Sequence, residues 1–309
     1  MLLCFTPNPA IDRVLFAPGF RHAESVRVAE ARESAGGKGL NVARVARALG
    51  LPVRVCGPLA GANGRRIAAL AADEGFDTRW FWLEDGESRI CLLVIDQGAP
   101  DTLVINERGP ATSAADWDAL ARLVATEAEQ ASAIAVSGSL PPGIAASKLT
   151  ALLRELSGHG AVYLDTSGAA LTEALDLPLA LLKVNAEELG EALGTPIAAP
   201  AEARAAAAHV LARGPAAVIV SLGRAGAVAV DTGGAWLARS PEITAISAVG
   251  SGDAMLAGVA AALAERRGLA EALRLGVACG AANTLTVGAG IVRTDDVIRL
   301  RATTTLVEV

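Results

Sequence analysis

Histidine and cysteine are scarce in this chain of 309 residues, and their scarcity excludes several kinds of site. The three histidines stand apart from one another, so the sequence supports neither a zinc site nor a histidine-based catalytic centre. The four cysteines are Cys4, Cys56, Cys91 and Cys279. They form no C-x-x-C pair, which favours buried free thiols over a disulfide or a metal site.

Aromatic residues, positive charge and long apolar runs are also in short supply. Aromatic residues make up 3% of a chain that is 52% hydrophobic, so the core must consist mainly of Ala, Val, Leu and Ile. The net charge of −6 argues against a nucleic-acid partner. No apolar run reaches the roughly 18 residues that span a bilayer, and the first residues carry no basic leader. The sequence therefore predicts a cytoplasmic protein without a membrane partner.

Short apolar runs alternate with helical patterns along most of the chain. The candidate strands span residues 2–6, 53–56, 133–136, 161–165, 180–184, 217–220 and 226–230. The clearest helical patterns span residues 41–50, 114–130 and 200–214. This alternation predicts an α/β fold with a mostly parallel central sheet and helices on both faces. The continuous apolar strands agree with burial on both sides of that sheet.

Two stretches, at about 13–33 and 86–109, have an extended pattern with no helix between their strands. They predict a small β-structure that lies over the edge of the main sheet as a lid. No linker rich in Pro, Gly or Ser divides the chain. We therefore expect one α/β domain that carries a β lid.

Polar turns follow four of the candidate strands. Asp12 lies beyond the first strand, and the turns at 137–143, 185–188 and 221–226 follow three others. Each could be an ordinary turn, because Gly, Pro, Asn and Ser are the usual turn residues. Ligands of open parallel sheets bind beyond the carboxyl ends of the strands, so four such turns together predict a single cleft.

The segment SAGGKGLNVAR at 34–44 combines three glycines with a lysine at the start of a helix. Its glycines allow a ligand to approach closely, Asn41 is expected to begin the helix, and Lys38 could bind a phosphate beside the helix N-terminus. The segment matches neither the P-loop nor the G-x-G-x-x-G pattern. A flexible turn with a solvent-facing lysine is the alternative.

A second segment, SAVGSGDAMLAG at 247–258, places Asp253 directly behind a Gly-Ser-Gly bend. The helix that follows would present unpaired N–H groups to an anion. A carboxylate would repel a bound phosphate unless its task is to take a proton from an attacking hydroxyl. Phosphoryl transfer needs both parts, a base and donors for the spreading negative charge. The alternative is an ordinary first-turn acid that interacts with the helix dipole.

The motifs GGKGLN and VGSGD resemble the two signatures of the ribokinase-like (PfkB) carbohydrate kinases, and the resemblance covers nearly the whole chain. Further segments are similar to the branch that phosphorylates phosphorylated ketohexoses, which includes 1-phosphofructokinase, tagatose-6-phosphate kinase and the minor 6-phosphofructokinase. These segments are NPAIDR (8–13), SGSLPPG (137–143), DTSGAAL (165–171) and KVNAEEL (183–189). The resemblance implies one ribokinase-like kinase domain over residues 1–309.

The resemblance also implies a role for each matching residue. Asp253 is the catalytic base, and the amides of Gly250, Ser251 and Gly252 form an anion hole. The sugar would contact Asp12, Gly36, Gly37, Asn41, Ser137, Gly138 and Ser139. The phosphate already on the substrate would contact Arg27, Lys38 and Arg89. The nucleotide would contact Lys183, Asn185, Ser221, Leu222, Gly223, Gly226, Gly250 and Gly252. Mg²⁺ would lie near Asn185 and Glu188, held through water.

The activity implied is ATP- and Mg²⁺-dependent phosphorylation of a ketohexose phosphate. Fructose 1-phosphate, giving fructose 1,6-bisphosphate, is favoured because Lys38 within G-G-K-G-x-N suits that subgroup; tagatose 6-phosphate and fructose 6-phosphate follow. A kinase of an unphosphorylated sugar or nucleoside, and a sugar-phosphate-binding regulator without catalysis, remain as alternatives. An exposed lid sheet is expected to pair with a second copy, giving a homodimer.

The sequence departs from the family pattern at several positions. The usual G-A-G-D is G-S-G-D here, and Ser247 and Ala248 replace the preceding polar pair. In the predicted lid, Cys91 stands where this branch usually has Asn, and Val104 where an acid is common. The lid differences bear on which sugar phosphate is bound more than on the chemistry.

Overall fold

The computed structural model describes residues 1–19, 25–28, 30–96 and 102–309. The strands are β1 (Leu2–Phe5), β2 (Ala10–Ala17), β3 (Glu30–Gly36), β4 (Val53–Leu59), β5 (Asp77–Trp82), β6 (Arg89–Asp96), β7 (Thr102–Asn106), β8 (Ala133–Ser137), β9 (Ala161–Asp165), β10 (Leu181–Asn185), β11 (Ala217–Ser221), β12 (Ala227–Asp231), β13 (Gly234–Arg239) and β14 (Thr305–Glu308). The helices are α1 (Lys38–Ala48), α2 (Gly61–Asp73), α3 (Ala114–Ala128), α4 (Ala146–Leu156), α5 (Gly168–Ala174), α6 (Ala186–Leu193), α7 (Pro200–Leu211), α8 (Ser251–Ala264), α9 (Leu269–Thr284) and α10 (Thr294–Thr303).

Ten strands form the main sheet, in the order β14-β13-β12-β11-β10-β9-β8-β1-β4-β5. The seven strands from β11 to β5 pair in parallel, and β12, β13 and β14 continue the sheet in antiparallel pairing. The predicted α/β fold with a mostly parallel central sheet is therefore confirmed. All seven predicted strands are present, and the first predicted helix begins at Lys38, three residues before Asn41.

Side chains that alternate along the strands build two cores, one on each face of the main sheet. Along β1, Leu2 and Cys4 belong to one core, while Leu3 and Phe5 belong to the other. Helices α1, α2, α8, α9 and α10 cover the first face, and helices α3 to α7 cover the second. All four cysteines are buried and free, as the sequence predicts. Within the described ranges, none of the helices is both long and apolar enough to cross a membrane.

A second sheet of four strands has the order β3-β2-β6-β7. Two antiparallel hairpins, β2–β3 and β6–β7, join through parallel pairing of β2 with β6. The sheet begins at Ala10, earlier than the predicted stretch 13–33, so Asp12 lies on a strand and not in a turn as predicted. Parts of the two predicted lid stretches lie outside the described residues, namely 20–24, 29 and 97–101.

Candidate active site

A cleft of about 1050 Å³ lies between the small sheet and the carboxyl ends of the parallel strands. The structure brings most of the predicted site residues to its walls. They are Asp12, Gly37, Lys38, Asn41, Arg89, Gly138, Ser139, Lys183, Asn185, Glu188, Ser221, Gly223, Gly226, Gly250, Ser251, Gly252 and Asp253. Residues at the ends of β8, β10 and β11, at the starts of α1, α6 and α8, and on the small sheet thus face the same space.

Four predicted residues do not line this cleft. Ser137 ends β8 with its side chain wholly buried, and Leu222 packs against the core on its face of the main sheet. Arg27 lies in the exposed stretch 25–28. Gly36 lies beneath the Asp12 carboxyl group, and a β-carbon there would overlap that group. Its role is to make room for Asp12.

Asp253 is the third residue of α8 and is buried, with 5% of its surface exposed. The helix begins behind Gly250, whose left-handed backbone (φ +82°) needs glycine. A β-carbon at Gly250 would lie 2.6 Å from the backbone nitrogen of Gly290. The tight bend therefore brings the first residues of α8, Asp253 among them, to the wall of the cleft.

The Asp253 carboxylate accepts a hydrogen bond from Asn41 Nδ2 to its Oδ2 at 2.9 Å. Burial raises the pKa of this carboxyl group to about 6, with Lys38, Asn41 and Lys183 opposing the rise and Asp165 adding to it. A carboxyl group with a pKa near 6 is mostly ionised at neutral pH and can still accept a proton readily. That balance suits a general base.

Asp165 is the most important residue that sequence reasoning missed. It ends β9 with no exposed side-chain surface, and its two oxygens accept hydrogen bonds from Lys38 Nζ (2.7 Å) and Lys183 Nζ (2.6 Å). Although burial opposes ionisation, the two ammonium groups lower the pKa of Asp165 to about 2. Asp165 could have been found from the sequence, because it lies at the end of an apolar strand, like the polar turns that predicted the cleft.

Lys38 lines the cleft and lies close to two acidic groups. Its Nζ is 2.7 Å from Asp165 Oδ1 and 3.8 Å from Glu188 Oε1. Burial disfavours its charge, but Asp165, Asp253 and Glu188 together raise the pKa of Lys38 above its ordinary value. Lys38 therefore stays charged next to the proposed base.

Asn185 and Glu188 form a capping box at the start of α6. Asn185 Oδ1 accepts the Glu188 backbone N–H at 2.7 Å, and Glu188 Oε2 accepts the Asn185 backbone N–H at 3.1 Å. Both residues also line the cleft. The cap thus fixes one Glu188 oxygen and leaves the other, Oε1, toward Lys38.

Asp12 and Arg89 face the cleft from the small sheet. Burial raises the pKa of Asp12 to about 6, while Arg44 and Arg89 oppose the rise and Glu74 adds to it. Arg89 donates to the carbonyl of Asn8 through Nη2 (2.9 Å) and Nε (3.1 Å). The small sheet therefore brings one cation, Arg89, and one titratable acid, Asp12, to the part of the site that the sequence assigns to the substrate.

Other cleft residues were not predicted as site residues. They include Cys91, Asn106, Ser167, Ser240, Glu242, Ala245, Val249, Gly280 and Thr284, while Arg224 belongs to the predicted turn 221–226. Those between β13 and α8 come from a segment without helix or strand structure. No sequence pattern connects Ser240, Glu242, Ala245, Gly280 or Thr284 to the cleft, because only the fold brings this loop and this helix face to it. Cys91, Ser167 and Val249 lie in segments that the sequence singles out, although no role was predicted for them.

Comparisons with known proteins agree on one family. The chain matches the family described as "pfkB family carbohydrate kinase" over residues 6–295. It is 38% identical over 275 residues to 1-phosphofructokinase of Rhodobacter capsulatus, covering 88% of this chain and 86% of the relative. It is 32% identical over 300 residues to ATP-dependent 6-phosphofructokinase isozyme 2 of Escherichia coli, covering 96% of each.

Solved structures of phosphofructokinases are also similar to this chain. The structure of phosphofructokinase-2 from Escherichia coli in complex with substrates and products superposes with a TM-score of 0.91 at 30% identity, covering 98% of both chains. Another structure of that protein is described as its tetrameric inhibited form.

Proposed function

This chain belongs to the pfkB family of carbohydrate kinases, and on that basis we propose that it transfers the γ-phosphoryl group of ATP to a hydroxyl of a ketohexose phosphate. The favoured acceptor is fructose 1-phosphate, and the product is then fructose 1,6-bisphosphate. The curated relatives carry the names of both 1-phosphofructokinase and 6-phosphofructokinase. Identity is higher to the former, which supports this choice. A kinase using ATP and sugar phosphates fits the expected cytoplasmic location.

The observation that carries the proposal is the buried Asp253 carboxylate at the N-terminus of α8, in a cleft with two lysines. The acceptor hydroxyl oxygen attacks the γ-phosphorus, and its proton goes to Asp253. The bond from that phosphorus to the β,γ-bridging oxygen breaks, and ADP leaves with the electron pair. Each transfer thus leaves one proton on Asp253, which returns it to water.

Donors around the transferring group stabilise its negative charge. Gly250, Ser251 and Gly252 line the cleft at the start of α8, and Lys38 and Lys183 flank the same space. We propose that the backbone amides of Gly250 and Gly252 donate to the transferring group, while the Ser251 amide already donates to the Ala248 carbonyl at 3.2 Å. Because Lys38 is bound to Asp165 and lies close to Glu188, we assign it to the transferring phosphoryl group. This differs from the sequence-based expectation that Lys38 binds the phosphate already on the substrate.

The residues near α6 fit Mg²⁺ that is held mostly by water and nucleotide phosphates. Mg²⁺ prefers oxygen ligands and commonly uses one or two carboxylates plus phosphates. Glu188 offers one oxygen, Oε1, and the Asn185 oxygen already accepts a backbone N–H. Within the described ranges, no cluster of three His, Cys, Asp or Glu side chains could hold a metal ion alone. When bound, Mg²⁺ would neutralise charge on the β- and γ-phosphates.

The small sheet supplies the groups that would recognise the sugar phosphate. Asp12 and Arg89 face the cleft from it, and we propose that Arg27 joins them when the small sheet closes as a lid. Closure would also exclude water, which otherwise competes with the sugar as phosphoryl acceptor.

A coupled assay of ADP release across a panel of acceptors tests the proposal. The panel contains fructose 1-phosphate, fructose 6-phosphate, tagatose 6-phosphate, fructose, ribose and a nucleoside. We expect the highest kcat/KM with fructose 1-phosphate, and Arg89→Met should reduce kcat/KM for sugar phosphates far more than for neutral sugars. Arg32→Met, at an exposed position of the same sheet, is the matched control. A preference for a neutral acceptor would refute the proposed substrate class.

We also propose that the small sheet joins two copies of the chain. Its strand β7 exposes Leu103, Val104 and Ile105, each at least 40% accessible. Apolar residues on an exposed strand commonly mark an interface. Light scattering should give the mass of a dimer, and Ile105→Glu should shift it toward the monomer. A monomeric wild-type chain would refute this arrangement.

A further inference from the structure

Arg44 lies one helical turn after Asn41 on α1, and hydrogen bonds engage all five N–H donors of its guanidinium group. Nε and Nη2 donate to the two oxygens of Glu74 (2.6 and 2.9 Å), and Nη2 also donates to the Ala35 carbonyl (2.6 Å). Nη1 donates to Asn41 Oδ1 and to the Ala289 carbonyl, both at 3.1 Å. The side chain is largely buried, with 13% exposed. A guanidinium group has five donors and no acceptor, so this one is fully used.

These contacts fix the direction of the Asn41 side-chain amide. An amide has an acceptor end, Oδ1, and a donor end, Nδ2. Because Arg44 can only donate, Oδ1 must face Arg44 and Nδ2 must face Asp253, where it lies 2.9 Å from Oδ2. An ionised carboxylate can only accept, so both ends of Asn41 are matched.

The reversed amide would have the opposite effect on Asp253. It would bring Oδ1 of Asn41 against the carboxyl group, and only the protonated carboxyl group could then make a hydrogen bond. We propose that Arg44 is a positioning residue that fixes the direction of the Asn41 amide and so keeps Asp253 deprotonated. The inference rests on the proposed function in one respect, the assignment of Asp253 as the base.

Arg44 is itself held firmly, which a positioning role requires. Glu74, at the end of α2, binds it through two parallel hydrogen bonds, a geometry that only a guanidinium group matches. A lysine could make at most three of the five contacts and no fork. Arg44 also binds the Ala289 carbonyl, and Gly290 packs against Gly250 at the start of α8.

Three other charged groups act on Asp253 from neighbouring elements. They are Lys38 on α1, Asp165 at the end of β9 and Lys183 on β10. None of these three side chains has a described hydrogen bond or ion pair with Arg44. Replacing Arg44 should therefore change the protonation of Asp253 through Asn41, while these three groups stay in place.

A titration of the ligand-free full-length chain tests the inference without requiring catalysis. The chain is labelled with ¹³C at the aspartate carboxyl carbons, and Asp253→Asn identifies the Asp253 signal. Because a hydrogen bond to a charged group is lost, Arg44→Met should raise the Asp253 midpoint by about one to two pH units. Arg47→Met is the matched control, since Arg47 also joins α1 to Glu74 but makes no described contact with Asn41. An unchanged midpoint in Arg44→Met would overturn the inference.

Kinetics provide an independent readout. The acid limb of kcat should move upward in Arg44→Met, with about a twofold to tenfold loss at pH 7 that disappears near pH 9. A loss by the same factor at every pH would indicate a merely structural role and overturn the inference. If Arg44 acts through Asn41, adding Arg44→Met to an Asn41→Ala variant should not move the acid limb of kcat any further. An additional shift in the double variant would also contradict the inference.

Two further outcomes keep the inference testable if Arg44→Met does not fold or if the proposed function is wrong. If Arg44→Met does not fold, Glu74→Gln should loosen Arg44 and move the Asp253 midpoint upward by a smaller step; no movement would overturn the inference. A wild-type chain that phosphorylates no acceptor would refute the proposed function, and the carboxyl titration would still decide whether Arg44 controls Asp253.

Discussion

Replacing Asp165 with Asn should destabilise the protein far more than removing a similar ion pair from the surface. The substitution keeps the shape of the side chain and removes its charge. Asp165 has no exposed side-chain surface, and only 4% of the Lys183 side chain is exposed. Asp165→Asn therefore leaves a buried ammonium group without its counter-ion, next to a second cation at Lys38.

Two lines of reasoning give the size of the effect. Breaking a buried ion pair by removing one partner costs about 3–5 kcal/mol. The pKa of Asp165, lowered to about 2, corresponds to about 2–3 kcal/mol of stability from the ionised form. Because the folded-state pKa is depressed, this stability is present above the unfolded value near 4 and is lost as the pH falls through about 2. We therefore expect a loss of about 3 kcal/mol at pH 7.

Urea unfolding at pH 7 measures this loss, and the chain offers a matched control. Lys148 Nζ and Asp118 Oδ1 are also 2.7 Å apart, but their side chains are 39% and 47% exposed. Asp118→Asn should reduce the free energy of unfolding by less than about 1 kcal/mol. If Asp165→Asn costs no more than Asp118→Asn, the reasoning about burial is wrong.

Two other predictions concern the start of α8. Gly250→Ala forces a left-handed residue against the backbone at Gly290, so unfolding free energy should fall by more than about 2 kcal/mol and kcat by at least about tenfold. Gly194 is also left-handed but has open space around it, so Gly194→Ala should lower the unfolding free energy by only about 1–2 kcal/mol and leave kcat unchanged. Equal losses in the two variants would contradict the predicted clash at Gly250. Asp253→Asn should stabilise the protein by up to about 3 kcal/mol at pH 8 and little at pH 4, because burial raises the folded-state pKa to about 6 and the ionised form is the costly one. Urea unfolding at the two pH values checks this, and a gain independent of pH would refute it.

The central part of the fold could be predicted from the sequence because buried parallel strands are continuous apolar runs. The edge strands β5 and β14, and their sheet neighbour β13, were missed; the residues of β5 and β14 are exposed or only partly buried. Their patterns mix apolar, polar and charged residues, as in DTRWFW of β5. Such a pattern does not distinguish an edge strand from a loop.

The candidate site could be predicted only as a set of separate motifs. Glycine-rich turns and polar residues after apolar strands identified Lys38, Asn41 and Asp253. Their partners were not visible, because Lys38 meets Asp165 across 127 residues of chain and Asn41 meets Asp253 across 212. Local patterns describe what each segment is; contacts between distant side chains depend on how the sheet orders its strands.

The turnover of Asp253→Asn is the most direct test of the proposed mechanism. Asparagine keeps the shape and the contact with Asn41 but cannot take a proton from the acceptor hydroxyl. We expect kcat to fall by about 10²–10⁴-fold with ATP affinity nearly unchanged. A variant that turns over at close to the wild-type rate would contradict the assignment of Asp253 as the base.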